Sequence, residues 1–179
     1  LAPGLAHAAE VEGPTTVVDS IIVTGRRNAE DPAVVAEARD RLGRTPGAVA
    51  VVSAESYADR FAQGFSDTLR NVPGVLAQKR YGEESRLSIR GSGIAQGFHQ
   101  RGVLLAQDGV PFADADGFSD FQGVDALSAR YIEVWKGSNT LRFGGAQLGG
   151  AVNLVTPTGR TALQQNLWQV GGGSFGSVR

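Results

Sequence analysis

The sequence predicts an α+β domain with a small mixed β-sheet, short helices and long loops. Three observations support this fold class. Short apolar segments show strand-like patterns, helical segments of one or two turns lie between them, and 25 of the 179 residues are glycine. Frequent glycine indicates tight turns, bulges and close backbone contacts. Short strands mixed with short helices are typical of an α+β arrangement.

Local patterns predict the elements of the N-terminal half. Apolar residues recur at helical spacing around Val34–Leu42, which predicts one short helix. The continuous apolar run Ala48–Val52 predicts a buried strand, followed by Ser53 as an N-cap and a short helix that reaches Phe61. Ser66 is predicted to cap a second short helix, which must end at the following Pro-Gly pair.

Strand-like segments dominate the remainder of the chain. A charged loop tip, Lys79–Ser85, separates an extended segment that begins at Val75 from the alternating segment Arg86–Arg90. The strand Val103–Gln107 is predicted to end in an Asp-Gly turn. Further expected elements are one or two helical turns at Val124–Ala129 and extended segments at Tyr131–Trp135, Leu141–Phe143 and Ala151–Val155.

Composition excludes several classes of function. The net charge is −1 and no basic stripe is present, so nucleic acid is not the expected partner. The chain has no cysteine, which excludes disulfides, zinc-thiolate sites and cysteine nucleophiles. The glycine-rich stretch Gly145–Gly150 is followed by no Gly-Lys-Ser/Thr, so it does not match a phosphate-binding loop. No cofactor is predicted, and the lack of a run of 18 apolar residues predicts no transmembrane helix.

The first residues resemble the end of a secretory signal. Residues 1–8 are interpreted as the remnant of a signal peptide, with Ala6-His7-Ala8 as the small-x-small cleavage site. The alternative is an Ala-rich disordered tail. Residues 9–45 are polar and Ala-rich, which predicts a flexible N-terminal arm that contains the short helix.

A short strand-like segment within this arm is the most informative feature of the sequence. It consists of Asp19, Ser20, Ile21, Ile22, Val23, Thr24 and Gly25. Its centre is rich in β-branched residues, and no apolar run beside it could complete a hairpin. Two readings are open: an ordinary edge strand of this domain, or a tethered strand that adds to a sheet edge on another protein.

Seven segments in a fixed order resemble the N-terminal plug domain of TonB-dependent outer-membrane receptors. The resemblance covers roughly Asp19 to Arg160, and each segment is weak alone. The segments are Asp19–Gly25, Leu69–Val75, Leu87–Gly91, Gln107–Gly109, Ile132–Gly137, Leu141–Gly144 and Leu148–Thr156.

The resemblance implies a gate rather than an enzyme. In that family the plug lies inside a 22-stranded barrel in the bacterial outer membrane, and the receptor imports scarce nutrients such as iron chelates. Asp19–Gly25 resembles the TonB box, whose partner is the C-terminal domain of TonB. The plug is expected at residues 46–160 and the start of a truncated barrel at 161–179, with the isolated fragment expected to be soluble.

The resemblance also implies two residues that lock the plug to the barrel. Arg90 matches an arginine that pairs with barrel carboxylates, for which a planar guanidinium is well suited. Lys136 stands where the family usually has a second arginine, so any such lock is expected to be weaker or differently arranged.

Loops on the exterior side are the expected ligand contacts. Candidate loops are Lys79–Arg86, Phe112–Gln122 and Gln96–Arg101, although ordinary solvated loops have the same composition. Donors in them suit an anionic ligand such as a ferric carboxylate chelate. The stretch from Arg86 to Gln122 most resembles receptors grouped with ferric dicitrate uptake, and this resemblance implies a ferric siderophore or ferric citrate as the ligand. The residues are Arg80, Tyr81, Arg86, His99, Gln100 and Arg101.

Two other functions remain to be weighed. A free-standing periplasmic module could bind an iron chelate without a barrel. A metal-dependent hydrolase would use Asp114, Asp116 and His99, but the segment fails the calcium-loop template. His99 is the only histidine in the part of the sequence predicted to fold, which argues against a zinc site. The sequence therefore predicts neither a catalytic residue nor a metal site.

Overall fold

The computed structural model of the chain describes residues 32–58, 60–81, 84–93, 102–113, 121, 123–144 and 147–160, with residues 162, 168, 170 and 172–176. It confirms the predicted α+β class, with a five-stranded mixed sheet, a two-stranded hairpin and short helices. Among the helices in these ranges, none is long and apolar enough to cross a membrane.

The described elements follow the expected order along the chain. The α-helices are α1 (Ala33–Gly43), α2 (Glu55–Ala58) and α3 (Phe65–Thr68), and 3₁₀ turns lie at Ala126–Ser128, Gly137–Phe143 and Ser174–Gly176. The strands are β1 (Val49–Ser53), β2 (Val75–Lys79), β3 (Ser85–Ile89), β4 (Val103–Gln107), β5 (Val110–Pro111), β6 (Tyr131–Lys136) and β7 (Gly150–Val155).

The main sheet has the strand order β1-β6-β7-β4-β5, and β2 pairs with β3 in a separate hairpin. Strand β6 is antiparallel to both β1 and β7, whereas β4 and β7 are parallel. Every residue of β6 is buried. The run Ala48–Val52 was expected to form a buried strand, but β1 lies at the sheet edge, where Val49–Val52 are only partly buried.

One face of the sheet contacts the larger hydrophobic core. Inward-facing residues of β4, β6 and β7 pack there against α3 and the β2–β3 hairpin. Phe65 of α3 meets the ring of Phe121 edge to face, with the ring centroids 5.3 Å apart. The buried side chains at this centre include Phe65, Leu69, Leu87, Ile89, Val103, Leu105, Ile132, Val134, Val152 and Leu154.

Helix α1 covers the opposite face of the sheet. Its buried residues Val35, Ala38 and Leu42 recur at helical spacing and contact side chains such as Tyr131 and Trp135 of β6. The helix itself was predicted, but as part of a flexible arm that reaches residue 45. The structure corrects that expectation for residues 33–43, because burial of this apolar stripe holds α1 on the sheet.

Each of the two short helices differs from the expectation at one end. The hydroxyl of Ser53 accepts a hydrogen bond from the backbone N–H of Glu55 at 3.3 Å, and α2 already ends at Ala58 rather than Phe61. Helix α3 begins at Phe65 with Gly64 as its N-cap, so the prediction of Ser66 as the cap was wrong. A carboxylate in the first turn, Asp67, instead accepts a hydrogen bond from the Gln63 backbone N–H at 2.8 Å.

The predicted Asp-Gly turn is confirmed, and the predicted extended segment Leu141–Phe143 is not. Asp108 and Gly109 have φ angles of 51° and 81°, as a two-residue hairpin loop requires. Leu141–Phe143 belongs to the 3₁₀ segment Gly137–Phe143 instead. That segment is held by Thr140, whose hydroxyl lies 2.9 Å from the carbonyl oxygen of Gly137 and 2.8 Å from that of Gln147.

A buried polar cluster joins α2 to the segment before β6. Nη1 of Arg130 lies 2.5 Å from Oε1 of Glu55. Burial alone would raise the pKa of Glu55, but hydrogen bonds from Ser53 and Arg130 outweigh it and lower that pKa. Burial, reinforced by the negative charges of Glu55 and Asp125, raises the pKa of Tyr57 to about 12.

The docking of α1 predicts a large difference between two leucine truncations. Leu42→Ala removes a side chain that is 3% exposed and is expected to cost about 2–5 kcal/mol in the free energy of unfolding. Leu148→Ala, at a side chain that is 90% exposed, is the matched control and should change it by less than about 0.5 kcal/mol. Urea unfolding measures both, and equal losses would show that α1 is not docked.

The raised pKa of Tyr57 predicts a loss of stability at alkaline pH. The unfolded chain releases this proton near pH 10 and the folded chain near pH 12, so the contribution of Tyr57 is complete below pH 10 and disappears between these values. Between pH 9 and 12 the free energy of unfolding of wild type should therefore fall by about 2–3 kcal/mol more than that of Tyr57→Phe. Urea unfolding across this pH range measures the difference, and parallel curves would contradict the prediction.

Candidate functional site

The structure brings the predicted pair Arg90 and Lys136 together at one end of the sheet. Arg90 directly follows β3, and Lys136 is the last residue of β6. The backbone at Arg90 has a φ of 53°, a conformation that non-glycine residues seldom adopt. Its N–H donates to the carbonyl oxygen of Gly74 at 2.9 Å, which fixes the chain where it leaves the hairpin.

The two cationic side chains have different surroundings. Arg90 is exposed, whereas Lys136 is only 8% exposed and its Nζ donates to the carbonyl oxygen of Pro73 at 2.6 Å. Burial lowers the pKa of Lys136, and the positive charge of Arg90 lowers it further. The guanidinium lies close to Gly137, where an added Cβ would approach Nη1 of Arg90 to 2.8 Å.

Within the described ranges, no carboxylate forms an ion pair with either cation. The positive charges of Arg90 and Lys136 lie close together without a carboxylate of the described residues between them. Their combined field would attract an incoming carboxylate, which would also reduce the repulsion between the two cations. Of the two groups, the guanidinium is the exposed one, and it is able to bind a carboxylate through two parallel hydrogen bonds. The geometry therefore suits capture of a carboxylate from outside the described residues.

The tip of the β2–β3 hairpin carries two of the predicted ligand residues. Arg80 lies 3.5 Å from the carboxylate of Glu84, so part of its charge is already balanced within the hairpin. Tyr81 is 89% exposed and presents its ring and hydroxyl to the surroundings. Arg86 lies on β3 and is partly buried, which places it below the tip.

Several predicted site residues lie outside the described residues. These are the whole Asp19–Gly25 segment, the ligand candidates His99, Gln100 and Arg101, and the rejected metal candidates Asp114 and Asp116. Among the residues that are described, no group of three or more His, Cys, Asp or Glu side chains could hold a metal ion.

Sequence reasoning missed a buried carboxylate on the α1 side of the sheet. Oε1 of Glu133 lies 3.1 Å from Nη2 of Arg41 on α1, and Oε2 accepts hydrogen bonds from the indole of Trp135 at 3.1 Å and the amide of Asn153 at 3.0 Å. The available signal was a charged residue within the otherwise apolar run Tyr131–Trp135, because a carboxylate in a buried strand needs partners.

This network continues into the β4–β5 turn. The side-chain oxygen of Asn153 accepts the backbone N–H of Gly109 at 2.9 Å. In the same turn, Asp108 accepts hydrogen bonds from the backbone N–H and the hydroxyl of Thr156, at 2.8 and 2.6 Å. Helix α1, the central strands and the β4–β5 turn are therefore joined through polar side chains rather than by packing alone.

Comparison with protein families identifies one domain type. A family model described as the TonB-dependent receptor plug domain matches residues 41–151. This range begins at the end of α1 and continues into β7, so it includes both Arg90 and Lys136.

Curated relatives are similar over much of this chain. The vitamin B12 transporter BtuB of Vibrio vulnificus is 26% identical over 168 residues, which cover 94% of this chain and 25% of the relative. The ferric enterobactin receptor of Pseudomonas aeruginosa is 28% identical over 151 residues, which cover 75% of this chain and 19% of the relative. The chain thus spans about a quarter or less of these relatives.

Solved structures share the fold. A crystal structure of the ferric enterobactin receptor PfeA from Pseudomonas aeruginosa matches with a TM-score of 0.50 and 27% identity, over 66% of this chain and 18% of that one. The unliganded ferric citrate transporter FecA matches with a TM-score of 0.56 and 22% identity, over 67% and 19% of the two chains. At that identity, the second likeness concerns the fold alone.

The buried position of Glu133 predicts unequal roles for two arginines near the end of α1. Arg41→Gln should lower the free energy of unfolding by about 1–2 kcal/mol, since Glu133 is 6% exposed and Arg41 54% exposed. Arg44→Gln, at the exposed pair with Asp40, is the matched control and should cost less than about 0.5 kcal/mol.

Urea unfolding of both variants measures this difference. A double-mutant cycle with Glu133→Gln then separates the ion pair from other effects of Arg41. A coupling energy of zero would contradict a direct interaction between the two side chains.

Proposed function

Because the chain belongs to the TonB-dependent receptor plug domain family, we propose that it is the gate of an outer-membrane transporter for a scarce nutrient. The observation that carries the proposal is the family match over residues 41–151. The family and the relatives' names describe receptors and transporters, which supports transport rather than catalysis. The domain boundaries at residues 46 and 160 are part of this proposal.

The proposed energy source is the C-terminal domain of TonB. In this proposal, Asp19–Gly25 adds as a strand to a sheet edge of TonB, and main-chain hydrogen bonds supply most of the affinity. The β-branched residues at its centre favour the extended conformation that strand addition requires. Helix α1 begins eight positions after Gly25, at Ala33, so tension on the segment would act on α1 first.

The proposed second partner is a 22-stranded barrel in the bacterial outer membrane, with the plug facing both the periplasm and the exterior. Arg90 supports this part of the proposal, because it is exposed and has no carboxylate partner among the described residues. A carboxylate of a barrel wall would complete its hydrogen bonds.

The proposed cargo is a ferric siderophore or ferric citrate. Two relatives carry the names ferric enterobactin receptor and hemin receptor, and a third is called a vitamin B12 transporter, so the names do not select one ligand. The candidate contacts remain Arg80, Tyr81, Arg86, His99, Gln100 and Arg101. The exposure of Tyr81 supports the hairpin tip as a ligand contact, and the neighbouring Arg80 supplies donors that suit an anionic chelate.

Binding of the purified chain to the C-terminal domain of TonB tests the proposal. Ile22→Pro removes one backbone donor from the predicted docking strand and should raise the dissociation constant by about tenfold or more. Val11→Pro places the same change in the N-terminal region but outside Asp19–Gly25, and it should leave the dissociation constant unchanged. Isothermal titration calorimetry measures the dissociation constants of wild type, Ile22→Pro and Val11→Pro for the C-terminal domain of TonB.

Two results would contradict the proposal. Absence of binding by the wild-type chain would remove TonB as its partner. Equal binding by wild type and Ile22→Pro would show that TonB docks elsewhere on the chain.

A further inference from the structure

The pairing of Lys136 with the Pro73 carbonyl suggests a role inside the domain. Lys136 is only 8% exposed at the end of β6, and its Nζ contacts the turn that precedes β2. A lysine concentrates its charge on one small group, so it can satisfy a single carbonyl oxygen. An arginine at this position would bury up to five N–H donors beside the same acceptor.

The next residue of that turn holds Arg90. Gly74 follows Pro73, has a φ of 75°, and accepts the backbone N–H of Arg90 at 2.9 Å. Arg90 needs such support because its own φ of 53° lies in the left-handed region, which costs a non-glycine residue about 1–2 kcal/mol. Lys136 therefore holds Pro73 in place through its carbonyl, and the adjacent Gly74 holds the backbone of Arg90 through the next carbonyl.

We infer that Lys136 is a positioning residue that acts through Pro73 and Gly74 on Arg90, and that Arg90 alone presents its charge to a partner carboxylate. The second half of this inference rests on the proposed receptor function, whereas the first half concerns this chain by itself. Lys136 and Arg90 then have different roles, and Lys136 is not a second, weaker contact for the same partner.

Hydrogen exchange in the purified chain tests the positioning role. Lys136→Met should lower the protection of the Arg90 amide by about tenfold or more, because the turn that holds its acceptor loses an anchor. The amide of Val134, which lies in the centre of the sheet, should change much less. Lys79→Met is the matched control, since Lys79 is the other lysine of the chain and its side chain is exposed.

The titration of Lys136 tests independently whether the charge of Arg90 lies beside its ammonium, as the proposed link through Pro73 and Gly74 requires. Arg90→Gln removes the neighbouring positive charge, so the pKa of Lys136 should rise toward its usual value while the Lys79 signal stays unchanged. With two lysines in the chain, NMR of isotopically methylated amines resolves the two side chains. This variant keeps Lys136 and is therefore useful even if Lys136→Met fails to fold.

The outcomes separate this inference from the proposed function. The positioning role would be overturned by unchanged hydrogen-exchange protection of the Arg90 amide in Lys136→Met. It would also be overturned if the pKa of Lys136 were the same in Arg90→Gln as in wild type. Neither measurement involves TonB, a barrel or a ligand, so they keep their meaning if Ile22→Pro disproves the TonB contact. In a receptor that includes the barrel, faster labelling of Lys136 than of Lys79 by an amine reagent would show that Lys136 faces outward and would overturn the second half.

Discussion

The buried carboxylate of Glu133 is the constraint on which the arrangement of this domain depends. A charge inside a β-sheet is tolerated only when surrounding donors replace water. Here the donors come from α1, β6 and β7, through Arg41, Trp135 and Asn153. The need to satisfy one side chain thus fixes how the helix lies on the sheet and how the central strands are aligned.

The two faces of the sheet have different kinds of cohesion. The face that contacts α3 and the β2–β3 hairpin has an almost wholly apolar core, in which many small contacts add together. The α1 face has fewer apolar contacts and depends on the Glu133 network as well. Stability on that side consequently depends both on apolar burial and on the partners of Glu133, which must meet stricter geometric requirements than apolar contacts do.

Sequence patterns predicted the central strands but not the polar network. The runs at Val103–Gln107, Tyr131–Trp135 and Ala151–Val155 correspond to β4, β6 and β7 within one residue, because buried strands require continuous apolar sequence. The partners of Glu133 lie 92 and 20 residues away at Arg41 and Asn153, and no local pattern carries such contacts. The docking of α1 was missed as well, because the four apolar positions at helical spacing in Val34–Leu42 also fit a partly solvated helix.

If the domain is the gate proposed above, the difference in packing between the two faces determines how it would respond to tension at its N-terminal end. Helix α1 leads into β1, and β1 is an edge strand, so both can leave without breaking any pair among β6, β7 and β4. The central pair β6–β7 is aligned over six residue pairs and buried on both faces, so it should yield last. Because Lys136 belongs to β6, the anchor at Pro73 and the backbone of Arg90 would stay in place while the N-terminal elements separate. The outward charge of Arg90 is therefore mechanically separate from the part of the domain that a pull would reach first.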